Sequence, residues 1–219
     1  MNLQEYFWFW SAELSPKFCD DIIECAKDYK THKAEIGTIE KIKKVKGEVS
    51  KDDWKKADKK RKSDIVWLNE PWIWNTIHYY IDEANKNAGW NFDWDYSETS
   101  QFTKYKGTKK QHYGWHTDSW PEPYSMENEN QNLKGKIRKL SCIVNLSEPE
   151  DYVGGNLQFD LRNNHDYEDN ENPNIINADF VKPRGSIIIF PSFVWHRVTP
   201  VTKGIRYSLV NWCVGWPWR

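Results

Sequence analysis

The chain has 219 residues, a formal net charge of -1, 16% aromatics and 14 tryptophans. That length suits one domain with a sizeable core, and the charge gives no reason to expect nucleic acid or an anionic membrane as partner. Cys19, Cys25, Cys142 and Cys213 form no CxxC pair, no leader pattern opens the chain and no apolar run reaches transmembrane length, so a soluble cytoplasmic protein with free thiols is expected.

Glu5 to Trp10 is aromatic enough for a strand or a packing arm. Ser15-Pro16 reads as an N-cap followed by Pro at the first helical position, and Phe18, Ile22, Ile23 and Ala26 continue at helical spacing to about Lys30. Residues 31–63 are rich in lysine with acids interleaved, and are expected to be a solvated, partly mobile segment rather than a nucleic-acid patch. Asp64 to Leu68 reads as a strand. Glu70 to Ala88 carries Trp72, Ile73, Ile77, Tyr80, Ile81 and Ala84 at helical spacing.

From Phe92 onward the pattern turns to strands: 101–105, the stretch around His116, 140–146, Gly154-Gly155 turning into 157–159, a short Phe180-Val181, 185–190, 196–201 and 206–214. Two polar stretches interrupt them. Residues 121–135 follow the His116 strand and read as a lid or as an ordinary loop. Residues 162–174 are acidic and rich in asparagine but lack EF-hand spacing, so they read as a solvated loop. Helices first and about eight short strands after them imply an α+β, mainly β fold, a sandwich or barrel with helices on one face. One domain over 1–219 is expected, with helical support over 1–90 and a β core over 91–219.

The chemistry concentrates in Tyr113-Gly114-Trp115-His116-Thr117-Asp118. Residues two apart on a strand share a face, so His116 and Asp118 can aim at one metal ion. His196, far downstream, can complete a set of two histidines and one carboxylate, the arrangement of non-haem Fe(II) oxygenases. Arg206, ten residues beyond, is a fixed cation placed to hold a carboxylate near that metal. His32, His78, His112 and His165 show no partner spacing, and His112 is at best a neighbour of the ligands.

Those residues resemble the prolyl-hydroxylase-like branch of the 2-oxoglutarate- and Fe(II)-dependent dioxygenases, including the PKHD-type hydroxylases. The matching pieces are Phe102 to Tyr105, Tyr113 to Asp118, Ser141 to Leu157 with its Gly154-Gly155, and Phe190 to Val201, continuing to Arg206 and Trp212. The resemblance covers residue 92 to the C-terminus and, more weakly, the two helices. It implies a double-stranded β-helix, or jelly roll, with Fe(II) on His116, Asp118 and His196. It implies 2-oxoglutarate paired with Arg206 and reached by Tyr105 and Ser208, O2 as oxidant, and ascorbate as an accessory. Tyr113, Arg138 and Trp212 match positions that flank the target residue in prolyl hydroxylases. Asn145 departs from the pattern, standing where animal oxygen-sensing members carry a tyrosine on the co-substrate.

Within the superfamily, Asp118 speaks against halogenation, whose enzymes lack the metal carboxylate. Trp212 stands where nucleic-acid dealkylating members carry a second arginine. The expected activity is hydroxylation of an aliphatic C–H, of a prolyl residue in a peptide or protein. A free amino acid or other small molecule as substrate, and an inactive metal-binding jelly roll, are the alternatives. An inactive module would not need Arg206 as a buried cation with no partner.

Overall fold

The computed structural model describes residue 3, residues 5–161 and residues 174–218, with the backbone alone at 38, 40, 41 and 44. The expected solvated loop at 162–174, and His165 within it, fall almost wholly outside the described residues.

The aromatic start forms β1 (Trp8–Trp10), an edge strand paired with β12 (Ile187–Pro191). Ser15 caps α1 (Pro16–Cys25): its hydroxyl accepts from the Phe18 N–H, and Pro16 occupies a position where no N–H is needed. The lysine-rich segment departs from expectation. It folds as β2 (His32–Lys33), α2 (Gly37–Lys46), α3 (Lys51–Lys60) and β3 (Arg61–Lys62). Gly47, at positive φ, ends α2. Ser50 and Asp53 form a reciprocal capping box that starts α3. Few apolar residues are needed here, because among the described side chains of these helices Ile39 and Ala57 alone are buried, while the charged faces meet water.

Next come β4 (Asp64–Leu68) and α4 (Pro71–Asn87). Ile73, Ile77, Ile81 and Ala84 fall on one face of α4 and are at most 1% exposed. Burying each isoleucine contributes about 2 kcal/mol. Then follow β5 (Tyr96–Ser97), β6 (Ser100–Lys106), β7 (His112–His116), β8 (Ile137–Asn145), β9 (Tyr152–Gly154), β10 (Leu157–Asp160), β11 (Ile175–Asn177), β13 (Trp195–Val198) and β14 (Val201–Gly215).

The larger sheet runs β1-β12-β8-β14-β6-β4-β2, with β5 and β9 also on β14, and the smaller runs β11-β10-β13-β7-β3. Alternation along β8 explains the layering. Leu140, Cys142 and Val144 join the core beneath α1 and α4, while Ile143 joins Phe159, Ile188 and Phe190 in a second core. This is the jelly roll expected, with one adjustment. The first 90 residues are more than a helical support, because β1, β2 and β4 extend the larger sheet and β3 edges the smaller.

Candidate active site

The two histidines meet because β7 and β13 pair in a register that sets His116 directly opposite His196. Their rings lie 4.1 Å apart, centroid to centroid. Asp118 is not on the strand as its spacing suggested: β7 ends at His116, and Asp118 sits on the bend beyond. Its own backbone N–H fixes it there, donating to the Ser192 carbonyl at 2.8 Å. Asp118 Oδ1 lies 3.7 Å from His116 Nε2, and Oδ2 lies 3.5 Å from His196 Nε2. One donor atom from each residue falls within 4.8 Å of the others, and all three residues are buried.

The tautomers suit a metal. His116 Nδ1 is 2.8 Å from the Gly114 carbonyl and His196 Nδ1 is 3.0 Å from the Val194 carbonyl. A carbonyl only accepts, so each Nδ1 carries a proton and each Nε2 is the ring nitrogen turned toward the carboxylate. Burial, followed by the neighbouring His196, holds His116 well below the usual imidazole range. Burial works to raise the Asp118 carboxyl, yet His196, His116 and Arg138 outweigh it and hold it at about 2. Two imidazole Nε2 atoms beside a carboxylate form a divalent-metal donor set, with no fourth protein ligand of these types among the described residues.

Beyond the triad a cavity runs between the sheets, walled by Ile143, Val198 and Val210. Arg206, Ser208 and Tyr105 also line it. Arg206 is 4% exposed, and its Nη1 is buried without a hydrogen-bond partner. An orphaned guanidinium nitrogen in an apolar cavity fits a bound carboxylate. Gly155 makes the space for that side chain: a Cβ there would stand 3.0 Å from Arg206 Cδ and 2.8 Å from Val201 Cγ2. Tyr105 is 3% exposed, and burial pushes its phenol up despite Arg61 and Arg206 nearby. Asn145 is turned to other work, its amide donating to the carbonyls of Ser147 (2.9 Å) and Lys182 (2.6 Å).

On the outer side of Asp118 lies a second cavity, which Tyr113, Arg138 and Trp212 all line. The Tyr113 ring stacks on His116 at 3.5 Å. Arg138 lies 3.9 Å over the Trp212 ring and binds Glu98 through two hydrogen bonds of 2.7 Å. Burial opposes its charge, but Glu98 outweighs that and raises its pKa. Arg138 is therefore a neutralised, fixed plate rather than a free cation. The cavity continues past Asp118, Trp120 and Arg138 along residues 121–125. This loop is folded: Tyr124 N–H donates to the Lys136 carbonyl and Gly135 N–H to the Tyr124 carbonyl. It borders the groove, and Trp120 reaches across so that a Cβ at Gly37 would meet its ring at 3.6 Å.

Four residues at the site escaped sequence reading. Ser141 donates to Asp118 Oδ2 at 2.8 Å and lies 2.9 Å from the Ser192 hydroxyl. Glu98 holds Arg138. Arg61, delivered by the pairing of β3 with β7, lies 4.4 Å over the Tyr113 ring. His112 proves structural, its ring nitrogens 3.1 and 3.0 Å from the Lys110 and Lys59 carbonyls.

The sequence profile of the 2OG-Fe(II) oxygenase superfamily matches residues 100–214, and the chain belongs to that superfamily. Its members use Fe(II), 2-oxoglutarate and O2. Among named relatives, a PKHD-type hydroxylase of Synechococcus sp. (strain JA-2-3B'a(2-13)) is 36% identical over 100 residues, 46% of this chain and 36% of that protein. A PKHD-type hydroxylase of Janthinobacterium sp. (strain Marseille) is 34% identical over 112 residues, 51% of this chain and 41% of that protein. The matched stretch thus spans well under half the length of these curated relatives. The fold is similar to that of the viral collagen prolyl hydroxylase of Paramecium Bursaria Chlorella virus-1 (TM-score 0.60, 18% identity, 97% of each chain). It is also similar to a Trichoplax adhaerens prolyl hydroxylase solved with a hypoxia inducible factor peptide (TM-score 0.63, 16% identity, 96% of this chain and 84% of that one). No helix among the described residues is long and apolar enough to cross a membrane.

Proposed function

We propose that this chain is a 2-oxoglutarate- and Fe(II)-dependent hydroxylase acting on an aliphatic C–H of a prolyl residue in a peptide or protein, releasing succinate and CO2. The observation that carries this reading is a pair of adjoining outer cavities: Tyr113, Arg138 and Trp212 line the first at Asp118, and the second, which shares Asp118, Trp120 and Arg138 with it, runs along residues 121–125. In this reading residues 1–219 act as one unit. His116, Asp118 and His196 hold Fe(II), and Arg206 with Ser208 and Tyr105 holds 2-oxoglutarate.

The bound iron and co-substrate supply the oxidising chemistry. The chain's residues supply geometry. The two Nδ1–H bonds and the Ser141 hydroxyl hold the donor set, so no ligand has to reorient on binding. Ile143, Val198 and Val210 keep the inner cavity apolar, which strengthens the pairing of Arg206 with a carboxylate. The Arg138–Trp212 plate and the Tyr113 ring flank the target residue beside Asp118 and hold its reacting carbon toward the metal. A free amino acid is the second substrate class, favoured by the Trp120 ring, which stands opposite Gly37 in the wall of the outer cavity.

The test is succinate formation from 2-oxoglutarate with anaerobically loaded Fe(II), with and without proline-containing peptides. Stimulated succinate and a gain of one oxygen on proline are expected. Asp118→Ala is expected to abolish turnover, and unchanged turnover would sink the metal assignment.

A further inference from the structure

The outer cavity has more donors than the prolyl reading uses. Its cations divide into two kinds. Lys33 is paired with Asp58, and Arg138 with Glu98. Glu35, the acid of the far wall, is paired with Lys43. Arg61 has no carboxylate partner among the described residues. It is 8% exposed, its Nε donates to Ser63 Oγ at 3.3 Å, its guanidinium lies 4.4 Å over the Tyr113 ring, and the residue lines both the inner and the outer cavity. Leaving a buried guanidinium without a counter-charge is unfavourable, and the lack is met when an anion binds.

A second feature points the same way. The N-terminus of α2 borders this cavity through Ile36 and Gly37. Its N-cap residue is Ile36, and no side chain among the described residues caps it. A ten-residue helix left uncapped presents N–H groups and the positive end of its dipole to whatever lies in front. Arg61 and this terminus line one cavity at Asp118.

We propose that Arg61 and the uncapped N-terminus of α2 form a carboxylate site in the outer cavity, so that the substrate carries a carboxylate near its reacting C–H bond. The inference rests on the hydroxylase reading and refines its substrate class. The carboxylate comes either from a peptide, as an acidic side chain or a chain end, or from a free amino acid. Arg206 remains reserved for the co-substrate at the far end of the inner cavity.

The experiment compares acid and amide partners on the wild-type enzyme. Three pairs separate the sources: proline peptides with glutamate or glutamine beside the proline, proline-terminated peptides with free or amidated ends, and L-proline against L-prolinamide. In at least one pair the acid is expected to show a KM lower by about tenfold, the worth of a hydrogen bond to a charged group. The pair that responds names the source. Arg61→Gln is expected to bring that ratio close to one, and Arg61→Lys, which keeps the charge but not the fork, to an intermediate value. Equal KM values across every pair overturn the proposal. So does an Arg61→Gln enzyme that keeps the ratio and changes only the KM for 2-oxoglutarate.

The wild-type comparison stands if a variant fails to fold. Quenching of tryptophan fluorescence under nitrogen, with Mn(II) and 2-oxoglutarate present, reads binding without turnover. Acid-selective binding without hydroxylation removes the hydroxylase reading and keeps this site. Hydroxylation without acid selectivity does the reverse, and binding of no acid overturns the site.

Discussion

At the scale of single residues, the candidate metal-ligand set depends on groups outside it. Asp118 lies beyond its strand, so its backbone is held by its N–H donating to the Ser192 carbonyl and its carboxylate by the Ser141 hydroxyl. Ser141→Ala removes a bond to Oδ2 while leaving a small side chain in a tight place. The expected result is a folded protein whose Mn(II) affinity is weaker by about 10- to 100-fold, the usual range for such supporting partners. A titration with unaltered affinity would show that Ser192 and the backbone suffice. The candidate ligand set was legible in the sequence, since His-x-Asp, a distant His and the following Arg stand in order along the chain. Ser141 was within reach of the same reading, because strand alternation puts it on the face of Ile143. Arg61 was not. Its place depends on β3 pairing with β7, some fifty residues away, and nothing local in a run of lysines marks it.

At the scale of elements, the turn before β10 shows how a short signature works. Gly155 adopts φ +62°, where an L side chain is unfavourable by about 1–2 kcal/mol. The Cβ it lacks would also press on Arg206. Gly155→Ala is therefore expected to lower the melting temperature and to raise the KM for 2-oxoglutarate about tenfold or more through displacement of the guanidinium. A fall in stability with an unmoved KM would confine the glycine to its turn. Among the helices, α1 and α4 announced themselves through apolar spacing. The pair α2 and α3 did not, because water covers most of their surface. Their signals were of another kind, Gly47 as a stop and Ser50 with Asp53 as a start, and a reading weighted toward hydrophobic periodicity passes over them.

At the scale of the whole molecule, stability carries a pH dependence that arises away from the ligands. His78 on α4 lies 6.1 Å from the Trp74 ring and 5.2 Å from the Trp94 ring, with Nε2 unbonded among the described residues. Burial lowers its pKa below 6.5, with Asp82 opposing. The unfolded chain thus takes up the proton first, so stability is full above about pH 6.5 and declines as pH falls below it. His78→Phe is expected to flatten the fall of melting temperature between about pH 6.5 and 5, and parallel curves would assign that fall to other groups. The long strand β14 has a further consequence, for biosynthesis. It pairs with β8 on one side and β6 on the other. Chains emerge from the ribosome N-terminus first, so β1-β12-β8 and β6-β4-β2 are complete as separate half-sheets before residues 201–215 appear. Each half then offers an open edge to any neighbouring nascent chain, a template for aggregation that calls for a chaperone's cover. The strand that closes those edges also brings Arg206, so the chain leaves its vulnerable stage and gains its buried arginine in one event.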